Sequence, residues 1–213
     1  MYTPPAFRWD DHTAALAFVR EWNFGALVTI VDGAPLVSHL PFLVDESRNV
    51  LRAHLARANP QAAHIQGREH LAVFLGPHGY ISPEWYGAGS PDVPTWNYVA
   101  VHVAGEGRVI DAEQAVDDFL ATLSEQEEKR RHDLEQGGKI WTLDKVPAAK
   151  HALMRGAIVV FEIEIARIEA KAKLSQNKPT EIAERVVSAL QTGDETQRTL
   201  AKSMQEARRR GKS

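Results

Sequence analysis

The sequence predicts a mainly β fold of the α+β class: an antiparallel barrel, closed or partly closed, with helices at its periphery. Three observations carry that expectation. Short strands joined by tight turns follow one another as hairpins; one small helix is tucked between strands; and the last long strand comes after a helix. Together they argue against the regular strand–helix alternation of a doubly wound sheet.

The elements follow in order. Asp10 or Asp11 can cap a helix running to about Trp22, with Ala14, Leu16, Phe18 and Val19 as its apolar positions. Residues 25–31 read as a strand, Asp32-Gly33 as a tight hairpin turn, and residues 34–44 as the partner strand. A second turn, Glu46-Ser-Arg-Asn49, leads into a strand over 50–55. Asn59-Pro60 starts a short helix to about Gln66, with proline at the first helical position. Residues 70–75 return to strand, and a loop rich in glycine and proline over 76–94 feeds a long strand over 95–110. Residues 112–136 form an amphipathic helix with Val116, Phe119, Leu120 and Leu123 at helical spacing, and its charged run 125–131 reads as a solvated face. A short helix over 147–155 precedes a strand over 157–173, whose apolar positions include Val159, Phe161, Ile163, Ile165 and Ile168. From Pro179 the chain is helical and polar, so the expected division is a barrel domain over 1–178 and a helical extension with a basic tail over 179–213.

Composition excludes several function classes. At 213 residues, 44% hydrophobic and 25% charged, the chain has the make-up of a soluble globular protein with a sizeable core. A net charge of −3 gives no global electrostatic case for nucleic acid or an anionic membrane. The absence of cysteine removes disulfides, zinc–thiolate sites, iron–sulfur clusters and thiol catalysis. No signal peptide or membrane-length apolar run is present, and the expected location is cytoplasmic. No histidine pair has the spacing of a metal site, no nucleophile turn suggests a Ser/His/Asp triad, and no glycine-rich phosphate cradle occurs.

Five segments carry chemistry instead. The long strand alternates Thr95, Asn97, Val99, Val101 and Val103 on one face with Trp96, Tyr98, Ala100 and His102 on the other. Aromatic groups gathered on one face suit a flat aromatic ligand or a subunit interface, or an ordinary strand packing its rings. The stretch from His54 through Arg57 and Asn59 to Gln61 gathers polar donors where a helix N-terminus also offers backbone N–H groups, which suits a phosphate or a capped surface turn. Ser38 and His39 must point to opposite faces of a strand that Pro41 marks as bulged or at an edge. After the last strand, Lys173, Ser175 and Gln176 supply an ammonium, a hydroxyl and an amide, fit for a phosphate, for a heterocycle edge or for a polar linker. The loop after residue 75 adds His78, Tyr80, Ser82, Trp85 and Tyr86, the composition of a cleft rim or of a loop packed on the barrel.

At these segments the chain resembles the PaiB family, FMN-binding negative transcriptional regulators related to pyridoxamine-phosphate-oxidase-type split barrels. The matching stretches are Met1-Tyr-x-Pro-x-x-Phe7, His39-Leu-Pro41, His54-Leu-Ala-Arg-x-Asn-Pro-Gln61, Gly76-Pro-His-Gly-Tyr-Ile-Ser-Pro83, Val93-Pro-Thr-Trp-Asn-Tyr98 and Lys173-Leu-Ser-Gln-Asn177. The resemblance implies an FMN-binding split β-barrel that forms a homodimer with flavin at the subunit interface. Arg57 and His54, helped by Asn59, would hold the FMN phosphate, and Ser38 and His39 would lie along the ribityl chain or ring. Trp96 and Asn97 would face the isoalloxazine, and Lys173, Ser175 and Gln176 would close the site. A flavin reductase or oxidase on the same scaffold is the alternative, and a haem-binding split barrel using His39, His78, His102 or His151 is another. No residue is nominated as catalytic. DNA, the partner that a regulator implies, has only the tail cations Arg198, Lys202, Arg208, Arg209, Arg210 and Lys212 to attract it.

Overall fold

The computed structural model describes residues 1–87, 89, 91–135 and 137–210, with the side chain of Arg210 left aside. The strands are β1 (Phe24–Val31), β2 (Ala34–Pro41), β3 (Leu43–Asp45), β4 (Val50–Ala56), β5 (Glu69–Ile81), β6 (Thr95–Ile110) and β7 (Ile158–Lys173). They form one seven-stranded antiparallel sheet in the order β2-β1-β5-β6-β7-β4-β3. The α-helices are α1 (His12–Glu21), α2 (Glu113–Leu134), α3 (Ala148–Gly156), α4 (Thr180–Gln191) and α5 (Glu195–Arg210). The expected antiparallel α+β class is the one observed. The chain separates into two compact units: a hairpin unit of Asn23–Ala72 and Ala104–Arg167, and a terminal unit of Met1–Trp22, Val73–Val103 and the chain from Ile168 on.

In the hairpin unit, β1 and β2 pair from Phe24↔Pro41 to Val31↔Ala34. Asp32 (φ 51°) and Gly33 (φ 80°) make the expected two-residue turn, since both central positions need the left-handed backbone that glycine adopts freely. The Glu46–Asn49 turn is also present: the Asp45 carboxylate accepts from the Ser47 hydroxyl at 2.7 Å and from the Arg48 N–H at 3.2 Å. The strand expected over 34–44 is instead two. Pro41 cannot donate to a ladder, and wholly buried Phe42 sends its N–H to the Asn23 carbonyl at 2.9 Å. This one-residue joint has a topological consequence. It links the two end strands of the sheet order, so the sheet of this unit curls until β2 lies beside β4, with no β2–β3 ladder among the described residues. β2 is thus an edge strand, one of the two alternatives, bulge or edge, that Pro41 left open.

Inside the curl lie Leu27, Leu51, Ala53, Leu55, Phe161 and Ile163. On its outer face α2 places Val116, Phe119 and Leu123 against Leu43 and Val160, which is the role expected for those apolar positions. The charged run of α2 is not simply solvated. Glu127 accepts from the buried Asn23 amide at 2.7 Å, and Arg130 donates to the same amide's oxygen at 2.9 Å.

In the terminal unit, Asp11 caps α1 by accepting from the Ala14 N–H at 2.9 Å, leaving Ala15, Leu16, Phe18 and Val19 buried. The expected strand over 70–75 runs on as β5 to Ile81, through residues that read as loop. Burial alternates over 70, 72, 74 and 76, then slips by one residue to 77, 79 and 81, so Gly76-Pro77 marks an irregularity inside a strand, as a β-bulge would. The segment after 178 is helical as expected, but it is amphipathic and packs into this unit. Ala183, Val186 and Leu190 of α4 and Leu200, Ala201 and Met204 of α5 are wholly buried.

Candidate functional site

The hairpin unit carries the first group of candidates. Asn59 caps the 3-10 turn Pro60–His64, its side-chain oxygen accepting from the Gln61 N–H at 2.9 Å. Its amide nitrogen donates to the Ser38 hydroxyl at 2.9 Å, so one side chain both starts the turn and ties it to β2. Arg57 follows the end of β4 and extends the β4–β7 pairing: its N–H donates to the Ala157 carbonyl at 2.8 Å. Its guanidinium donates from Nε to the Gly156 carbonyl at 2.8 Å and from Nη2 to the Ile158 carbonyl at 2.7 Å. Two of the five guanidinium N–H groups are therefore committed. The rest face outward from an exposed side chain at the rim of a cavity of about 480 Å³, whose walls include Val109, Val116, Val160 and Arg155.

His54 takes a different position from the one expected beside Arg57. Its ring meets Phe119 edge-on at 5.8 Å, under α2, and its Nδ1 is buried without a partner. Burial holds its pKa below the usual imidazole value, so it is neutral near pH 7. His39 is exposed and stacks on Phe24 at 6.5 Å, on the strand face opposite Ser38.

The terminal unit carries the second group. Trp96 and Asn97, adjacent on β6, face opposite ways: Trp96 is 54% exposed and Asn97 1%. Trp96 stacks on His78 at 6.5 Å and meets Tyr80 edge-on at 6.2 Å, giving an exposed platform of rings on β5 and β6. The slip in alternation at Gly76-Pro77 creates that platform, because it turns His78 and Tyr80 outward. Asn97 instead donates to the Ser175 hydroxyl at 2.9 Å and to the Met204 sulfur at 3.5 Å, while its Oδ1 has no partner. Lys173 donates to the Thr95 hydroxyl, and burial lowers its pKa from the usual lysine value. Gln176 is bound to its own segment, accepting from the Leu174 N–H at 2.7 Å and donating to the Ala172 carbonyl.

Among the tail cations, Arg198 donates to the Gly193 carbonyl and Arg208 to the Thr180 hydroxyl, so both guanidiniums are engaged within the unit. Lys212 lies outside the described residues.

One network went unforeseen. In the hairpin unit, Gln61 is almost wholly buried and its amide nitrogen donates to the Leu27 carbonyl at 3.1 Å and to the Thr29 hydroxyl at 2.8 Å. The Thr29 hydroxyl is 2.7 Å from His70 Nδ1, and His70 Nε2 is 2.9 Å from the Ile65 carbonyl. A carbonyl only accepts, so Nε2 carries the proton, Nδ1 accepts, and the Thr29 hydroxyl donates to it. This relay holds the 60–64 turn on β1. The motif containing Gln61 was visible in the sequence; its partner Thr29, 32 positions away, and the His70 ring beyond that hydroxyl were not.

No cluster of three or more potential metal ligands exists among the described residues, and none of their helices is long and apolar enough to cross a membrane.

A family model described as "Putative FMN-binding domain" matches residues 1–167. The Protease synthase and sporulation protein PAI 2 of Bacillus subtilis is 34% identical over 182 residues, spanning 84% of this chain and 83% of that protein. The flavocytochrome Anf3 of Azotobacter vinelandii is similar in structure at a TM-score of 0.59 and 16% identity, covering 78% of this chain and 68% of that one. The FAD- and heme-binding protein of Mycobacterium smegmatis gives a TM-score of 0.56 at 14% identity, over 85% of this chain and 78% of the other. At such identities these two share the fold with the chain.

Proposed function

The chain belongs to the family of that FMN-binding domain, in a fold of the split-barrel type, and from this premise we propose that it binds FMN and works as a homodimer. The observation that carries the proposal to residues is Arg57. Two backbone carbonyls fix its guanidinium, and its remaining N–H groups are open to an oxyanion at a cavity rim.

The donor set fits FMN in kind. Arg57 serves the phosphate, and the Ser38 hydroxyl, held in place by the Asn59 amide, is offered to the polyol chain. Trp96, backed by His78, keeps an exposed ring face within the terminal unit. His54 is better suited to supporting this region as a neutral ring under α2 than to pairing with a dianion. Asn97, Lys173, Ser175 and Gln176 are engaged within the terminal unit and act by holding the 173–178 segment. When bound, FMN would supply hydride and one-electron chemistry, while the protein contributes position and electrostatics. Regulation of transcription is the role that the resemblance to PaiB implies for such a flavoprotein.

The test is a titration of the purified, flavin-stripped protein with FMN, followed by flavin fluorescence, with the mass measured by light scattering. The expected result is saturable binding at micromolar FMN or below, by a particle of twice the chain mass. Arg57→Ala should weaken binding by at least about tenfold, the value of one charge-assisted phosphate contact. A protein that ignores FMN at tens of micromolar, or binds it equally well without Arg57, refutes the assignment.

A further inference from the structure

The terminal unit contains a second cavity, of about 560 Å³, between α1 and α5. Its volume lies within the range of small-molecule pockets. Of the ten residues considered for flavin, only Gln176 lines it, and both ends of that amide are bound to its own segment.

The wall is aromatic. Trp9 meets Phe18 edge-on at 5.9 Å, and Phe18 stacks on Trp22 at 6.3 Å with 25° between the rings. The array is locked from behind, because a Cβ on Gly76 would stand 2.5 Å from the Phe18 ring; only glycine lets that ring seat against β5. Small side chains at Ala14, Ala17, Ser203 and Ala207 keep the opening between the helices.

The charges at this wall are uneven. Arg8 is paired with Asp10 at 2.9 Å. Among the described residues, Glu21, Glu206 and Lys202 of this wall have no ion-pair partner within 4 Å. Two carboxylates, one ammonium on a long exposed arm, and the electron-rich faces of two indoles select for positive charge on a flat ring. We infer that this cavity is a binding site for a planar aromatic cation, separate from the residues assigned to FMN. A stacked cation gains from the indole faces and from the carboxylates together, whereas an aromatic anion meets Glu21 and Glu206 with like charge.

The experiment is calorimetric titration of the full-length protein with three probes of one shape: 1-methylnicotinamide (cationic), nicotinamide (neutral) and nicotinate (anionic). The cation should bind at millimolar concentration or below, and at least about tenfold tighter than either companion, the scale of a cation–π contact combined with an ion pair. It should also develop a near-ultraviolet charge-transfer band that Trp22→Leu removes. Glu21→Gln with Glu206→Gln should reduce the preference for the cation without abolishing binding. Ala17→Leu places bulk in the opening from an exposed helical position, so it should block the probe while FMN titration stays unchanged. Nicotinate binding as well as the cation, no binding of the cation at ten millimolar, or binding undiminished in Ala17→Leu would each overturn the inference.

Discussion

Thr29 makes two buried hydrogen bonds with one hydroxyl, accepting from Gln61 and donating to His70. Thr29→Val keeps the shape and removes both. It leaves His70 Nδ1 without a donor in a site where burial already keeps the ring neutral. Stability should fall by about 1–3 kcal/mol, the cost of stranding buried polar groups. Equilibrium urea unfolding checks this, and a change under about 0.5 kcal/mol would mean that the relay carries no weight. The residue types at the candidate site were legible in the sequence, and so was the alternation that sends Ser38 and His39, or Trp96 and Asn97, to opposite faces. What could not be read was which face the core would take. Asn97 and Trp96 are equally plausible ligand groups in a list of residues, yet one is sealed against Ser175 and Met204 and the other stands open beside His78. The same holds for Arg57, whose link to residues 156–158 depends on a strand pairing about a hundred positions distant.

Elements were read well where local chemistry sets them and poorly where it is overridden. The Asp32-Gly33 turn, the Asp11 cap and the Asn59-Pro60 start are decided within four residues, and each is present as expected. The stretch from Gly76 to Ile81 was expected as loop because glycine and proline punctuate it, but it continues β5. Tertiary packing reverses the local signal. Gly76 is selected by the Phe18 ring behind it, and Pro77 lines the cavity between α1 and α5. Gly76→Ala should therefore destabilise by about 1–3 kcal/mol, since Phe18 is buried against Trp9 and Trp22 and has little room to yield. Thermal melting of Gly76→Ala, with and without Phe18→Leu, checks the cause. If the smaller side chain recovers none of the loss, the clash is not its source.

At the scale of the molecule, three histidines are held neutral by the fold. Burial is the first cause for His54, His70 and His102; the Met1 ammonium adds to it at His102, while Glu169 opposes it there. Each has a folded-state pKa below the ordinary imidazole value of about 6.5. As pH falls through that value, the unfolded chain takes up protons that the folded one refuses, so stability present above it is lost below it. The urea midpoint should be lower at pH 5.5 than at pH 7.5, and an equal or higher midpoint at pH 5.5 would contradict this account. Length, composition and the succession of hairpins determined by themselves that the chain is an antiparallel α+β protein with peripheral helices. They also placed nearly every strand and helix, because turns, caps and amphipathic periods are local. Only the tertiary structure decided that one residue, Phe42, joins the two ends of the sheet, that the helices after 178 contribute core, and which polar side chains are spent on the fold. Burial and pairing are set by partners distant along the chain, and a pattern of two or 3.6 residues carries no record of them.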